Sequence, residues 1–546
     1  MVGTQHRMNT ETRDGSDDRP LRSYGRRKGK RLTARKQQEK ITAVVILAEG
    51  GGIRSAVHVS QLLSQTDSLL AANKNRPRSL LQDAYVLAGV SGVAVALSAY
   101  LAASAQEPDD PILRARLIDD ALGVDHMTPL VAGMFGSDLL GIILPLDLIG
   151  RMNRAMSARS YVERPNRPLI DGRTEFFERS LEAPWGKQDG AQGTTENWMK
   201  APLAETVLAA TGSEPYAGEP IVVFPTFGVE GGVKAVSSNV VFGVCGDDAA
   251  GFVDVLSCLG LSKGYDPRLA RTDIPLNAAA HLSARFPGSN PPAIFDVCDE
   301  NGSDSLACSV RRLRFVDGGY FDNSGAAAAS EAVRALVRAV EDVDPGGTEG
   351  LQDKLHIVVV HAYFRNEETS SGAGIGLNEV LAPLDAVWAS RAKSGQWPVA
   401  SFCRDLAALA GAQHMTNCSA LAADRTFSSG AIVGSHPQDN RLPQVEHSAQ
   451  DAPLQHPGPV VTWISAPVDN ARSVSAVDHY LLGWSMRRET RCKMFDATAP
   501  MSQRVAKSLG GIRPLTPWTL ETGPPTEPEV TDIRRLKESM CADSGG

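Results

Sequence analysis

A run of twenty residues without a charged side chain, residues 84–103, constrains the fold more than any other feature of the sequence. A helix of this length and polarity could cross a bilayer. Two glycines, Gly89 and Gly92, divide the run into a block of about five residues and an alanine-rich block. We therefore predict a buried strand, a tight turn and a buried helix, and no transmembrane helix.

The same order of elements is predicted at the start of the apolar sequence. Residues 41–48 form a short apolar, β-branched block, which is typical of a buried parallel strand. Glu49 and three glycines follow, and a helical pattern extends from about residue 54 to residue 70. Strand, glycine loop and helix together are the opening unit of an α/β sheet.

The remaining chain supplies further elements. An apolar stretch at 129–150 contains Asp138 and Asp147, which favours a buried or interfacial helix pair over a membrane span. Strands are predicted at 220–224, 240–244, 314–316 and 356–361, and helices at 201–210, 277–284 and 326–340. Polar loops are predicted at 186–198, 287–304, 344–352 and 430–458, and the last 25 or so residues are expected to form a loosely attached tail.

Charge is unevenly distributed along the chain. Hydrophobic residues make up 42% and charged residues 22%, which is typical of a soluble globular protein. Residues 21–40 hold nine basic and one acidic side chain, whereas the rest of the chain carries a net charge of −16. The negative charge outside residues 21–40 disfavours nucleic-acid binding, because the phosphate backbone is also negative. We interpret the basic stretch as a solvated, disordered leader, the alternative being an arm that contacts an anionic membrane or nucleic acid.

The eight cysteines form no CxxC pair and no zinc signature, so no metal site is predicted. They fall into neighbouring pairs, which allows disulfides. No apolar signal-peptide core precedes Ile41, and we therefore expect free thiols and a cytoplasmic protein, peripheral to the inner membrane at most, unless a non-standard route exports it.

Three short segments can carry chemistry, and each follows a predicted strand. Gly50, Gly51, Gly52, Ile53 and Arg54 form a glycine loop at a helix N-terminus, where backbone N–H groups can bind a phosphate or an oxyanion. It is an incomplete dinucleotide fingerprint, so no cofactor is predicted.

The second segment is Gly89-Val90-Ser91-Gly92-Val93, in which a strand-to-helix turn would expose the hydroxyl of Ser91 as a nucleophile. The alternative is an ordinary serine N-cap. The third segment is Asp317-Gly318-Gly319, whose carboxylate can project over the sheet edge or simply form an Asp-Gly turn.

Taken together and in this order, the three segments resemble the patatin-like phospholipases, whose motifs are D-G-G-G-x-R-G, G-x-S-x-G and D-G-[GA]. The segment Ser283-Ala-Arg-Phe-Pro287 and the run from Asp317 to Gly325 are also similar to bacterial members, with weaker similarity over most of residues 41–484. The sequence departs from the motifs at Glu49, Ser55 and Val93.

The resemblance implies a three-layer α/β sandwich with a central, mostly parallel sheet, elaborated by insertions. It implies Ser91 as nucleophile and Asp317 as general base of a dyad, an oxyanion hole at the glycine loop, and supporting glycines Gly89, Gly92, Gly318 and Gly319. The implied reaction is hydrolysis of a carboxylic ester in a lipid, most simply a phospholipid, without a cofactor. The alternatives are a lysophospholipase or transacylase with the same dyad, and a non-catalytic lipid or nucleotide binder.

Histidine is weighed separately because an α/β-hydrolase triad would need one after the acid. His361 is the leading candidate, although a structural role at a strand end is the favoured interpretation. His58 and His281 are also interpreted as structural. The expected organisation is a leader at 1–40, a catalytic core at 41–345, an extension of the same unit at 346–490 and a polar tail at 491–546.

Overall fold

The architecture is described from a computed structural model. The residues it describes are 41–72, 79–135, 173–186, 197–212, 219–240, 242–243, 251–260, 274–286, 290–299, 309–343, 355–365, 394–410, 415–416, 459–469, 486–510 and 527–541.

A central, mostly parallel β-sheet of ten strands organises the described chain. Eight strands lie in the order β5-β4-β3-β2-β1-β8-β10-β9, and β7 pairs with both β3 and β6. Among the described strands, only the pairs β3–β4, β3–β7 and β6–β7 are antiparallel. The strands are β1 (Ile41–Ala48), β2 (Ala84–Gly89), β3 (Ile221–Gly228), β4 (Val233–Ser238), β5 (Val253–Asp254), β6 (Ala293–Asp299), β7 (Ser309–Asp317), β8 (Leu355–Arg365), β9 (Met415–Thr416) and β10 (Val460–Asp469).

Both faces of the sheet are buried, which explains the continuous apolar strands in the sequence. In β1, Val44 and Ile46 pack into the core on one face, whereas Val45 and Leu47 pack into the core on the other. The helices that cover the two faces complete the predicted three-layer α/β sandwich.

Thirteen α-helices belong to the described residues. They are α1 (Gly52–Ala71), α2 (Leu80–Asp83), α3 (Gly92–Gln106), α4 (Pro111–Gly123), α5 (Met127–Gly133), α6 (Arg173–Glu182), α7 (Leu203–Thr211), α8 (Val255–Gly260), α9 (Leu276–Ser283), α10 (Ala326–Val343), α11 (Gln396–Ala410), α12 (Arg488–Gly510) and α13 (Glu527–Cys541). Helices α1, α3, α7 and α9 contribute to the core on one face, together with α12. Helices α10 and α11 cover the other face.

Most of the predicted elements are confirmed, including the strand, turn and helix within the uncharged run. Two predictions are wrong. Val240 and the described residues 242–243 are not in a strand, although Val240 and Phe242 are buried, so burial and not pairing explains their apolar character. The loop predicted at 287–304 contains β6, which pairs with β7 along its length.

The described C-terminal residues, 486–510 and 527–541, are not loosely attached. Helices α12 and α13 pack on α1, and Met494, Phe495 and Leu536 are fully buried. The polar appearance of this sequence misled the prediction because α12 buries polar side chains, among them Thr498 and Ser502, together with its apolar ones.

The expectation of free thiols is also wrong. A disulfide joins Cys492 in α12 to Cys541 in α13, Cys258 and Cys403 are disulfide-bonded as well, and no cysteine of the described residues is free. These four cysteines therefore act as crosslinks.

Several predictions lie outside the described residues: the leader at 1–40, most of the 129–150 stretch, and nearly all of the loops at 186–198, 344–352 and 430–458. The organisation into core, extension and tail stays a prediction. Among the described helices, none combines the length and the apolar character needed to cross a membrane.

Candidate active site

Ser91 lies in the turn between β2 and α3 with an unusual backbone. Its φ of 57° and ψ of −125° make it the only non-glycine residue with positive φ among the described residues. The side chain makes no capping hydrogen bond to the helix, so the ordinary N-cap interpretation does not apply. Strain of this kind costs about 1–3 kcal/mol and persists only where the surroundings impose it.

The glycine loop packs directly against this turn. A Cβ on Gly92 would lie 2.0 Å from the carbonyl oxygen of Gly52, and a Cβ on Gly50 would lie 3.0 Å from Cβ of Ser91. Gly52 also has a φ of 64°, which favours glycine. The structure thus brings the first two predicted segments together, and their glycines permit the close approach.

The loop presents backbone donors at the N-terminus of α1. The N–H of Gly50 donates to the carbonyl of Asn323 at 2.9 Å and is therefore committed elsewhere. Within the described part of the chain, the N–H groups of Gly51, Gly52 and Ile53 have no protein acceptor, as expected for the first turn of a helix. These three groups, and not Gly50, are the donors that an anion could use. Arg54 is half-buried in the same turn, and burial lowers the pKa of its guanidinium.

The register of the sheet places Asp317 at the same level as Ser91. Ala88 of β2 pairs with Val223 of β3, so three residues further on Ser91 is level with Thr226. Thr226 in turn pairs with Asp317 at the end of β7. Because β4 occupies one edge of β3 at Thr226, β2 and β7 share the other edge, and Ser91 and Asp317 therefore lie on the same side of β3.

The carboxylate of Asp317 is fully buried. Its Oδ1 accepts a hydrogen bond from the N–H of Gly319 at 2.8 Å, which forms the predicted Asp-Gly turn. Gly318 must lack a side chain because a Cβ would lie 2.1 Å from the carbonyl oxygen of Pro225. The turn therefore orients the carboxylate without excluding a catalytic role.

The sequence analysis gave no separate role to two residues that follow this turn, Asp322 and Asn323. Asp322 accepts hydrogen bonds from Ser324, Gly325 and Ala327, and although these bonds stabilise its charged form, burial raises its pKa. Asn323 donates from Nδ2 to the carbonyl of Gly50 at 3.0 Å. With the bond from Gly50 N–H, this makes a reciprocal clamp between the glycine loop and the loop that carries Asp317.

Ser283 was also missed, although its Ser-Ala-Arg-Phe-Pro segment stood out in the sequence. Its Oγ accepts a hydrogen bond from the N–H of Ser91 at 3.2 Å and donates one to the carbonyl of Pro225 at 2.6 Å. Two residues on, the carbonyl of Arg285 accepts from the N–H of Asp317 at 3.1 Å. Only the tertiary structure brings these groups to Ser91 and Asp317.

His361 does not have the partner that a triad would require. Its Nε2 lies 3.1 Å from Oε1 of Glu49, and its ring stacks on Tyr363. The rings of His58 and His281 are buried and have protein partners, which fits the predicted structural role: His58 contacts Thr498 and His281 contacts the partly exposed Glu178. Glu49, which stands where the family motif has aspartate, is therefore the partner of His361.

The other departures are also explained locally. Val93 is fully buried, and its Cγ1 is 2.8 Å from where a Cβ of Gly89 would lie, so valine at 93 fills the space that glycine at 89 leaves. Ser55 lies against Gly51, whose added Cβ would be 2.2 Å from Ser55 Oγ. Among the described residues, no group of three or more His, Cys, Asp or Glu side chains could hold a metal ion.

Comparison with known proteins gives a limited result. No family model matches the chain, and no curated protein matches it. Among solved structures, human GIVD cytosolic phospholipase A2 in complex with methyl gamma-linolenyl fluorophosphonate is similar at a TM-score of 0.35 and 12% identity, covering 95% of this chain and 64% of that one. A second structure of human GIVD cytosolic phospholipase A2 is similar at a TM-score of 0.33 and 11% identity, covering 95% of this chain and 67% of that one. This chain thus spans less than two thirds of the length of the first of these structures. Because both TM-scores are below 0.5, the function is argued from the residues of the site alone.

Proposed function

We propose that this protein is a serine hydrolase of the patatin-like phospholipase family, which cleaves carboxylic esters of lipids. The observation that carries the proposal is the backbone of Ser91, which is strained at a strand-to-helix turn and packed against a glycine loop whose N–H groups at 51–53 have no acceptor among the described residues. Strand-to-helix turns of this type present a nucleophilic serine at the carboxyl edge of a sheet. The position of Asp317 at the same level supplies a base.

In the proposed mechanism, Ser91 Oγ attacks the ester carbonyl while Asp317 accepts the hydroxyl proton. The developing oxyanion is bound by the N–H groups of Gly51, Gly52 and Ile53, each contributing about 3 kcal/mol to lowering the barrier. The proton then passes from Asp317 to the departing alkoxide, which leaves as an alcohol. Asp317 next deprotonates a water molecule, whose attack on the acyl-enzyme releases the fatty acid and restores Ser91.

A lipid ester is the proposed substrate because of the motif resemblance, with a phospholipid first and peripheral contact with a membrane during catalysis. Val131 in α5 and Phe135, two residues after its end, are exposed apolar side chains, 38% and 65% accessible. Such side chains favour contact with an apolar surface. A lysophospholipase or transacylase would use the same residues and differ only in the acyl donor or acceptor.

The proposal is tested by labelling with a fluorophosphonate probe and by assay of a lipid panel with product masses. Wild type is expected to react at Ser91, whereas Ser91→Ala is expected to show neither labelling nor hydrolysis. Absence of labelling of wild type, under conditions that label a control serine hydrolase, would instead support a non-catalytic lipid binder. Release of free fatty acid separates a hydrolase from a transacylase, whose acyl group appears on an added alcohol or lysolipid.

A further inference from the structure

Segment 283–285, at the end of α9, contacts the backbone of both proposed catalytic residues. The hydroxyl of Ser283 accepts from Ser91 N–H, and the carbonyl of Arg285 accepts from Asp317 N–H. Only Ala284 lies between them, and all three residues are buried. A three-residue segment of fixed geometry therefore spans the nucleophile and the base.

The hydroxyl of Ser283 has no freedom in this arrangement. Because its proton is donated to the carbonyl of Pro225 at 2.6 Å, only its lone pairs face Ser91. The N–H of Ser91 is buried and needs an acceptor, since an unpaired buried donor is costly. Ser283 thus provides the acceptor that this N–H needs in the unusual conformation of Ser91.

The segment is itself held rigidly from two sides. The single hydroxyl proton of Thr226 is shared between the carbonyls of Val316, at 2.7 Å, and Leu282, at 3.2 Å, which connects the end of α9 with β3 and β7. On the other side, the carboxylate of Glu178 in α6 contacts His281 and Arg285. Movement of α9 relative to the sheet is therefore restrained.

We infer that Ser283 is a positioning residue, which holds the backbone of Ser91 in its strained conformation and, through segment 283–285, sets the separation of Ser91 and Asp317. This inference rests on the proposed function. Ser283 does not contact the ester, and it acts only through Ser91. Displacement of a nucleophile by about 1 Å can reduce the rate about 100-fold, so a device that fixes its backbone has a measurable effect.

The test compares Ser283→Ala, Ser283→Thr and wild type for fluorophosphonate labelling rate and for hydrolysis of a soluble short-chain ester. Ser283→Ala is expected to lower both kcat and the labelling rate constant about 10–100-fold, with KM within about twofold of wild type. Ser283→Thr keeps the hydroxyl and is expected to recover part of the loss. Ser98→Ala is the matched control, because Ser98 is a buried serine of α3 that bonds only locally, to Val95.

The inference is overturned if Ser283→Ala, folded by circular dichroism, retains kcat within about twofold of wild type, or if Ser98→Ala loses as much. Should Ser283→Ala fail to fold, Ser283→Cys decides, because a thiol is a weak acceptor of similar shape. Its labelling rate is then expected to fall about tenfold, and an unchanged rate refutes the inference. Failure of wild type to label at Ser91 would refute the proposed function itself, which distinguishes the two.

Discussion

At the scale of single residues, the proposed site depends on glycines, because their lack of a side chain lets neighbouring loops approach one another. Gly50 and Gly92 lie where a Cβ would collide with the adjoining loop, and Gly318 lies where it would collide with Pro225. Sequence reasoning found these glycines because loops that approach one another closely require them. It could not identify which N–H groups stay free, since that depends on the carbonyl of Asn323.

Replacement of Gly50 by alanine is expected to abolish proposed hydrolysis. The new Cβ would lie 2.5 Å from Asn323 Oδ1 and 2.9 Å from the carbonyl of Val90, so the glycine loop must move away from Ser91. The measurement is fluorophosphonate labelling of Gly50→Ala beside Gly212→Asn, a control at an open helix C-terminus with a φ of 59°. Equal labelling of Gly50→Ala and wild type would contradict the prediction.

The dyad makes a prediction that separates it from a histidine triad. Asp317→Asn is expected to reduce kcat by about 10²–10⁴-fold, because the amide cannot accept the Ser91 proton. His361→Gln is expected to retain most activity, since His361 contacts Glu49 and not the dyad. Steady-state hydrolysis of a soluble ester by both variants provides the measurement, and the reverse order of losses would favour a triad.

At the scale of elements, α1 shows why burial was harder to predict than secondary structure. Its polar side chains are covered by α12, with Gln61 donating to the carbonyl of Arg491 and Gln65 to that of Phe495. The sequence of α1 alone would assign such a face to solvent. The cover comes from residues more than 400 positions away, in a segment whose composition suggested a tail.

His58 on α1 makes the stability of this packing depend on pH. Burial lowers its pKa to about 4, so the unfolded chain binds a proton first as the pH falls below about 6.5. The contribution of neutral His58 to the free energy of unfolding is therefore complete above pH 6.5 and is lost as the pH decreases towards 4. Between pH 7 and pH 5 we expect the free energy of unfolding to fall by about 2 kcal/mol from this residue.

Urea unfolding at both pH values, for wild type and for His58→Gln, measures this contribution. The variant is expected to show a shallower decrease, whereas identical decreases would show that His58 is not responsible. The contribution of His126 can be measured in the same way, because burial also lowers its pKa to about 4.

At the scale of the whole molecule, a crosslink fixes the C-terminal helices. The Cys492–Cys541 disulfide closes a loop with a sequence separation of 49 residues and joins α12, which covers α1, to α13. The crosslink therefore joins two helices that both pack on α1.

Removal of this disulfide by the double substitution Cys492→Ser and Cys541→Ser is expected to lower the free energy of unfolding by about 2–4 kcal/mol, because the unfolded chain gains entropy. The urea midpoint of oxidised protein, with and without the pair, provides the measurement. An unchanged midpoint would show that the ends of α12 and α13 are held by packing alone.

The sequence by itself determined the strand, turn and helix around Ser91, the glycine loop and the α/β class, because local apolar blocks and glycines specify such units. Only the tertiary structure decided that Val240 is buried outside a strand, that β6 exists, that the C-terminal residues cover α1, and that Ser283 bonds the N–H of Ser91. These features depend on contacts between distant residues. Hydrophobic periodicity records which residues are apolar, but the pairing of strands and the acceptor of each buried N–H are fixed only when the layers pack.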